Sequence, residues 1–118
     1  LGSIPSGIHP DWEPHASMFQ NKDAVIVCVE LPGVEKDDIK IELEEGGVVI
    51  VQGEKKSMLE KDNKVYEQEV ETGKFYRAFP LPDHVDLASP KAEFKNGVLK
   101  VSFARTETET ESREIPIE

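Results

Sequence analysis

Three histidines and one cysteine are the side chains of this sequence best suited to metal binding or nucleophilic chemistry. His9, His15 and His84 are scattered without ligand spacing, and Cys28 has no second cysteine to join it. No nucleophile motif surrounds Ser102, and no glycine-rich phosphate loop is present. The many Asp and Glu residues alternate along predicted strands or lie in linkers, which is typical of solvated faces. The sequence therefore predicts no enzyme, no catalytic or metal site and no cofactor.

Length and charge narrow the class of protein further. The chain has 118 residues, which suits one domain, and its net charge is −10 at pH 7. That charge argues against nucleic acid or an anionic membrane as a partner, because binding there is driven by Lys and Arg. The single cysteine excludes an intrachain disulfide and fits a reducing compartment. No signal peptide is visible, and no apolar run approaches the roughly 20 residues of a membrane span.

Residues 90–105 (PKAEFKNGVLKVSFAR) carry the strongest local pattern. Apolar and polar side chains alternate on both sides of Asn96-Gly97, a dipeptide that favours a two-residue turn between antiparallel strands. The stretch therefore predicts a β-hairpin with one apolar face.

The rest of the chain repeats this pattern in shorter form. With roughly one turn signal every 8–12 residues and no helical periodicity, about eight short strands indicate an all-β antiparallel sandwich. The predicted strands outside the hairpin are residues 15–20, 24–31, 39–43, 48–51, 65–70 and 75–81. Gly53 is expected to stop the strand that begins at residue 48.

Several motifs resemble those of the small heat shock proteins. AEFKNGVL at 92–99 resembles the A-x-x-x-N-G-V-L signature of their α-crystallin domain, and IPI at 115–117 resembles their C-terminal I-x-I motif. AVIVCVELPGV at 24–34 resembles a family strand that ends in L-P-G-V, and GKFYRAFPLP at 73–82 resembles one that carries an arginine. These elements occur in the family's order, and together they are specific.

The resemblance implies an immunoglobulin-like β-sandwich with a strand-exchange loop. It further implies an ATP-independent chaperone (a holdase) that binds unfolding proteins and assembles from dimers into larger oligomers. The single cysteine and the lack of a visible signal peptide lead us to expect a cytoplasmic location. On this basis residues 1–14 are an N-terminal arm remnant, 15–105 the α-crystallin domain and 106–118 a C-terminal extension. The family's arm is normally longer. The alternative function is a β-sandwich co-chaperone module that recruits one defined folded partner.

The first predicted site is a dimer contact. The strand at 65–70 is too polar for a central core position and follows a long charged loop, so we expect it to pair with residues 15–20 of a second copy. The alternative is an intrachain hairpin with 48–51. The resemblance implies the exchange for the bacterial, archaeal and plant branch of the family. The residues assigned to this contact are Met18, Phe19, Val65, Tyr66, Glu67, Gln68, Val70 and Arg77.

The second predicted site is a C-terminal plug. Ile115 and Ile117 flank Pro116, so in an extended chain both side chains point the same way, and the proline restricts the backbone before binding. We expect this plug to dock on a neighbouring subunit. The resemblance places the acceptor groove between residues 39–43 and 92–94. The groove residues are Ile39, Ile41, Leu43, Ala92 and Phe94.

Overall fold

β-Branched and aromatic residues form the strands, and Gly, Pro and Asn separate them, as their conformational preferences require. A computed structural model describes residues 2–106 and 114–118. Within these ranges the elements are β1 (Ala16–Gln20), β2 (Ala24–Glu30), a 3-10 turn (Lys36–Asp38), β3 (Ile39–Glu44), β4 (Val48–Lys55), β5 (Gly73–Pro80), β6 (Lys91–Lys95) and β7 (Val98–Ala104).

The strands form two antiparallel sheets, in the orders β1-β2-β7-β6 and β3-β4-β5. One main core lies between them, built from the inward side chains of β2, β4, β5 and β7. The predicted all-β fold is thus confirmed. The core residues include Val27, Val29, Leu31, Val49, Val51, Phe75, Phe79, Leu99, Val101 and Phe103.

The β6–β7 hairpin has the geometry that its sequence predicts. Asn96 and Gly97 both have positive φ, at 54° and 76°. This is the backbone requirement of a type I′ turn, whose twist matches that of the flanking strands. The turn fixes the register, in which Phe94 lies opposite Leu99.

Gly53 does not end a strand, contrary to the prediction. β4 continues through it to Lys55, and Gly53 lies opposite Ile39 on one side and Phe75 on the other. A Cβ at this position would lie 2.9 Å from the ring of Phe75 and would collide with the carbonyl of Asp38. The glycine therefore permits close packing within the sheet rather than a turn.

Residues 65–70 form no strand in the single chain, so the described part of the chain has seven strands rather than about eight. Both edges of β4 are already paired, with β3 and β5, which excludes the intrachain hairpin. Tyr66 and Val70 are 88% and 64% exposed. Among the described residues, no strand of the same chain pairs with this segment.

The N-terminal segment packs closely on the second sheet. Trp12 meets Phe75 edge to face, with ring centroids 5.5 Å apart, and its indole Nε1 donates to the carbonyl of Gly73 at 2.9 Å. Pro14 is fully buried. This segment closes the side of the sandwich between β5 and β1. Residues 107–113 of the predicted C-terminal extension lie outside the described residues.

Candidate functional site

A groove lies between the edge strands β3 and β6, one from each sheet. Because both are edge strands, the two sheets part here and leave a cavity of about 180 Å³. Ile39 and Ile41 form one wall, and Ala92 and Phe94 form the other. The structure thus brings four of the five predicted acceptor residues together at one edge of the sandwich.

Leu43, the fifth predicted residue, does not line this cavity. It lies two residues beyond Ile41 on β3, on the same side of the strand, and is 37% exposed. Sequence reasoning missed Lys36 and Glu93, which give the cavity one charge of each sign. Glu93 alternates with the apolar residues of its strand, and Lys36 lies in a connector without periodicity, so neither pattern indicates a groove. The groove is therefore apolar with a charged rim.

The C-terminal motif does not fill the groove of its own subunit. Ile115 and Ile117 are 82% and 99% exposed, although both are large and branched. Burying each such side chain contributes roughly 1.5–3 kcal/mol. The chain therefore presents both an apolar groove and an unburied apolar motif.

The edge strand β1 offers a second unpaired surface. It pairs with β2 on one side only, so the backbone groups of Ala16 and Met18 on its other side face no strand among the described residues. Phe19 is half exposed, whereas Met18 packs against the main core. A cavity of about 320 Å³ opens beside them, and Leu81 lies on its far side.

Arg77 connects the second sheet to the segment that leads into β1. Its side chain is only 11% exposed. The guanidinium Nη1 donates to the carbonyl of Pro14, Nε lies 3.5 Å from a carboxylate oxygen of Glu13, and the group stacks over Phe79 at 5.3 Å. Arg77 is thus not an ordinary surface charge, and its acidic neighbour within the chain is Glu13.

The side chains suited to chemistry remain dispersed in the fold. Within residues 2–106 and 114–118, no group of three or more His, Cys, Asp or Glu residues is arranged to hold a metal ion. Cys28 is half-buried on β2, across from Ser17 and Lys100. The described part of the chain also contains no helix with the length and apolar character needed to span a bilayer.

Comparison with known proteins agrees with this architecture. The Hsp20/alpha crystallin family matches residues 17–118. The chain is 43% identical over 100 residues to a 22.0 kDa heat shock protein of Arabidopsis thaliana, covering 84% of this chain and 48% of that protein. It is 38% identical over 102 residues to an 18.0 kDa class I heat shock protein of Daucus carota, covering 84% and 59%. The chain therefore spans about half the length of these curated relatives.

Solved structures show the same fold. Heat shock protein 16.0 from Schizosaccharomyces pombe superposes with a TM-score of 0.77 at 28% identity, covering 91% of this chain and 99% of that one. A small heat-shock protein from Xylella fastidiosa, described as having a distinct high order structure, gives 0.75 at 25% identity, covering 92% and 98%. With its motifs, its sandwich and these relatives in agreement, the chain belongs to the Hsp20/alpha crystallin family.

Proposed function

We propose that this protein is an ATP-independent holdase that binds unfolding proteins, prevents their aggregation and assembles from dimers in the cytoplasm. The main support for the proposal is that the same chain has both an unfilled apolar groove, between β3 and β6, and an exposed apolar motif, Ile115-Pro116-Ile117. Surfaces of this kind bind exposed apolar segments of other chains. Membership of the family supports the same function.

The C-terminal motif is proposed to dock in the groove of a neighbouring subunit. Two buried Ile side chains contribute roughly 1.5–3 kcal/mol each, whereas ordering the backbone costs about 1–2 kcal/mol per residue. One docked motif therefore binds weakly, and a stable assembly needs several at once. Weak contacts are useful here, because warming or dilution frees the groove for an unfolding protein.

The dimer is proposed to form by exchange of residues 65–70. The segment is exposed and unpaired in the single chain, and β1 has an open edge that accepts a strand. If the segment is extended, Tyr66 and Val70 lie on one face and the glutamates between them on the other. We assign the apolar face to the cavity beside Met18 and Leu81, where it covers the open side of the sandwich.

The decisive experiment measures light scattering by a heat-stressed model protein, without nucleotide and with a metal chelator present. A holdase suppresses scattering in proportion to its amount, and neither ATP nor divalent metal changes the suppression. The purified particle is sized in parallel by analytical ultracentrifugation. Unsuppressed aggregation, together with a discrete complex formed with one native protein, would favour the co-chaperone module instead. Suppression that disappears with the chelator would contradict the metal-free mechanism.

A further inference from the structure

A small apolar cluster lies on the outer face of the three-stranded sheet, away from the main core. Ile50, Tyr76 and Ala78 are 3%, 5% and 6% exposed and pack together there. Neighbouring residues of β4 and β5 alternate with them and point into the sandwich. The outer face of such a sheet normally meets water, so burial this complete requires a covering layer.

Residues 2–10 supply that layer. The amide of Gly2 donates to the carbonyl of Ala78 at 2.9 Å, and a Cβ built on Gly2 would lie 2.8 Å from the Cβ of Ala78. At the other end, Asp11 and Lys74 exchange two hydrogen bonds of 2.7 Å. The segment between these two points runs across the outer face, and we call it the N-terminal strap.

The strap is held at its ends and fits poorly between them. Within the described ranges, no hydrogen bond joins residues 3–10 to the sheet. Its bulky side chains, Ile4 and Ile8, are 45% and 37% exposed. A cleft of about 690 Å³ lies between residues 7–10 of the strap, the 3-10 turn and the neighbouring parts of β3 and β4, and its lining mixes apolar side chains such as Ile39 and Phe75 with charged ones such as Lys40. An incoming segment with larger side chains has room here that the strap leaves empty.

The free edge of β5 offers more hydrogen bonds than the strap uses. Ala78 bonds to Gly2 of the strap and Lys74 to Asp11 just beyond it, and strand alternation directs the backbone N–H and C=O of Tyr76 toward the same edge. Among the described residues, none of the strap pairs with them. An extended incoming chain can therefore pair continuously where the strap pairs only at its ends.

We propose that the outer face of β4 and β5 is a binding surface for extended apolar segments of unfolding proteins, which the N-terminal strap occupies until they displace it. The strap itself indicates the ligand chemistry: an irregular, proline-containing chain with isolated branched apolar residues. This inference rests on the proposed holdase function and adds a surface distinct from the β3–β6 groove.

The test locks the strap in place. Gly2→Cys and Ala78→Cys are combined with Cys28→Ser, which removes the only native thiol. A disulfide needs Cβ atoms about 3.8 Å apart, so a shift of about 1 Å between the two positions is enough. The oxidised and reduced forms are compared in suppressing aggregation and in binding a permanently unfolded, carboxymethylated protein. Cys28→Ser alone, treated with the same oxidant, is the control.

We expect the oxidised form to bind the unfolded protein several-fold more weakly than the reduced form, with no change in particle mass. Ile4→Ser with Ile8→Ser, which loosens the strap without new bonds, should shift binding in the opposite direction. Equal binding by the oxidised and reduced forms would overturn the surface, even if both suppress aggregation. If the oxidised form binds the unfolded protein more weakly than the reduced form but neither form suppresses aggregation, the binding surface is supported and the proposed holdase function is contradicted. Absence of both activities would reject both proposals.

Discussion

At the scale of one residue, the mostly buried guanidinium of Arg77 holds the backbone of the segment that leads into β1. Its guanidinium bonds the carbonyl of Pro14, stacks over Phe79 and lies beside Glu13. Because Pro14 immediately precedes the β1 region, these contacts position the edge that we assign to the dimer. A strand arginine was visible in the sequence, but its main partner is a backbone carbonyl of a segment without periodicity.

We predict that Arg77→Ala lowers the free energy of unfolding by about 2–3 kcal/mol, because it removes a charge-assisted hydrogen bond from a mostly buried site. Glu13→Gln is the matched control. The Glu13 side chain is 71% exposed, so its loss should change stability by less than about 1 kcal/mol. Urea unfolding measures both. Equal effects of the two substitutions would contradict the importance of the Pro14 contact.

Tyr76 gives a prediction that depends on pH. Burial under the N-terminal strap raises the pKa of its hydroxyl above the usual 10.0, and nearby Glu44 and Glu42 raise it further. The unfolded chain therefore ionises first as pH rises. The stability contributed by this group is complete below pH 10 and is lost as pH climbs toward the raised pKa, by at most about 1.4 kcal/mol per pH unit.

Accordingly, Tyr76→Phe should unfold with a shallower loss of stability between about pH 10 and 11 than the parent. Tyr66→Phe is the matched control, since Tyr66 is 88% exposed and has no covering layer. Urea unfolding across this pH range is the measurement. If the free energy of unfolding falls equally with pH in the parent and in Tyr76→Phe, the buried hydroxyl does not contribute to the pH dependence of stability.

At the scale of the elements, period-2 patterns predicted most strands because each pattern reports one buried face. β2, β3 and the β6–β7 hairpin lie within a residue or so of their predicted bounds. The same reasoning could not predict that Tyr76 and Ala78 are buried, because they alternate with the core residues of β5 and so lie on the outer face of the sheet. Their cover is an irregular segment from the other end of the sequence. All five predicted groove residues came from the family resemblance, because strand order cannot be read from a sequence, and four of them line the cavity.

The loop between β4 and β5 yields a prediction about the dimer. Lys55 and Gly73 are directly paired, so residues 56–72 can be replaced by a two-residue Asn-Gly turn without disturbing either strand. We expect this shortened chain to be a folded monomer, because it lacks the strand to be exchanged. Ultracentrifugation gives the mass, and circular dichroism with thermal unfolding checks the fold. A dimer that survives the replacement would exclude the exchange.

Point substitutions refine this test in the full-length loop. Tyr66→Ser with Val70→Ser should raise the dimer dissociation constant about tenfold or more, since each 1.4 kcal/mol of lost burial is a factor of ten. Met58→Ser with Leu59→Ser is the matched control, because these residues are exposed in the same loop but lie outside the exchanged segment. If both pairs weaken the dimer equally, the assigned face is wrong.

At the scale of the whole molecule, the proposed docking of the C-terminal motif predicts how dimers combine. Ile115→Ala with Ile117→Ala should reduce any species larger than a dimer to dimers, because the docked motif loses most of its apolar area. Glu118→Ala changes the same tail and leaves both isoleucines in place, so its mass distribution should match the parent's. Ultracentrifugation over a range of concentrations distinguishes these outcomes.

The parent's own mass decides how the tail result is interpreted. If the parent forms larger species and the double alanine variant keeps its mass distribution, the docking proposal is wrong. If the parent is only a dimer, a free peptide carrying Ile115-Pro116-Ile117 should bind it. Ile41→Glu, which places a charge in the groove wall, should then abolish peptide binding.

The positions of the two open edges determine the symmetry of any assembly. A reciprocal exchange at β1 uses the same surface on both copies, so it is isologous and closes after two subunits. The β3–β6 groove takes a different surface, the tail of another copy, so that contact is heterologous and closes only when the rotation between subunits completes a ring or shell. The first contact fixes a unit of two. The second contact does not fix the number of subunits, so one sequence can form closed assemblies of several sizes.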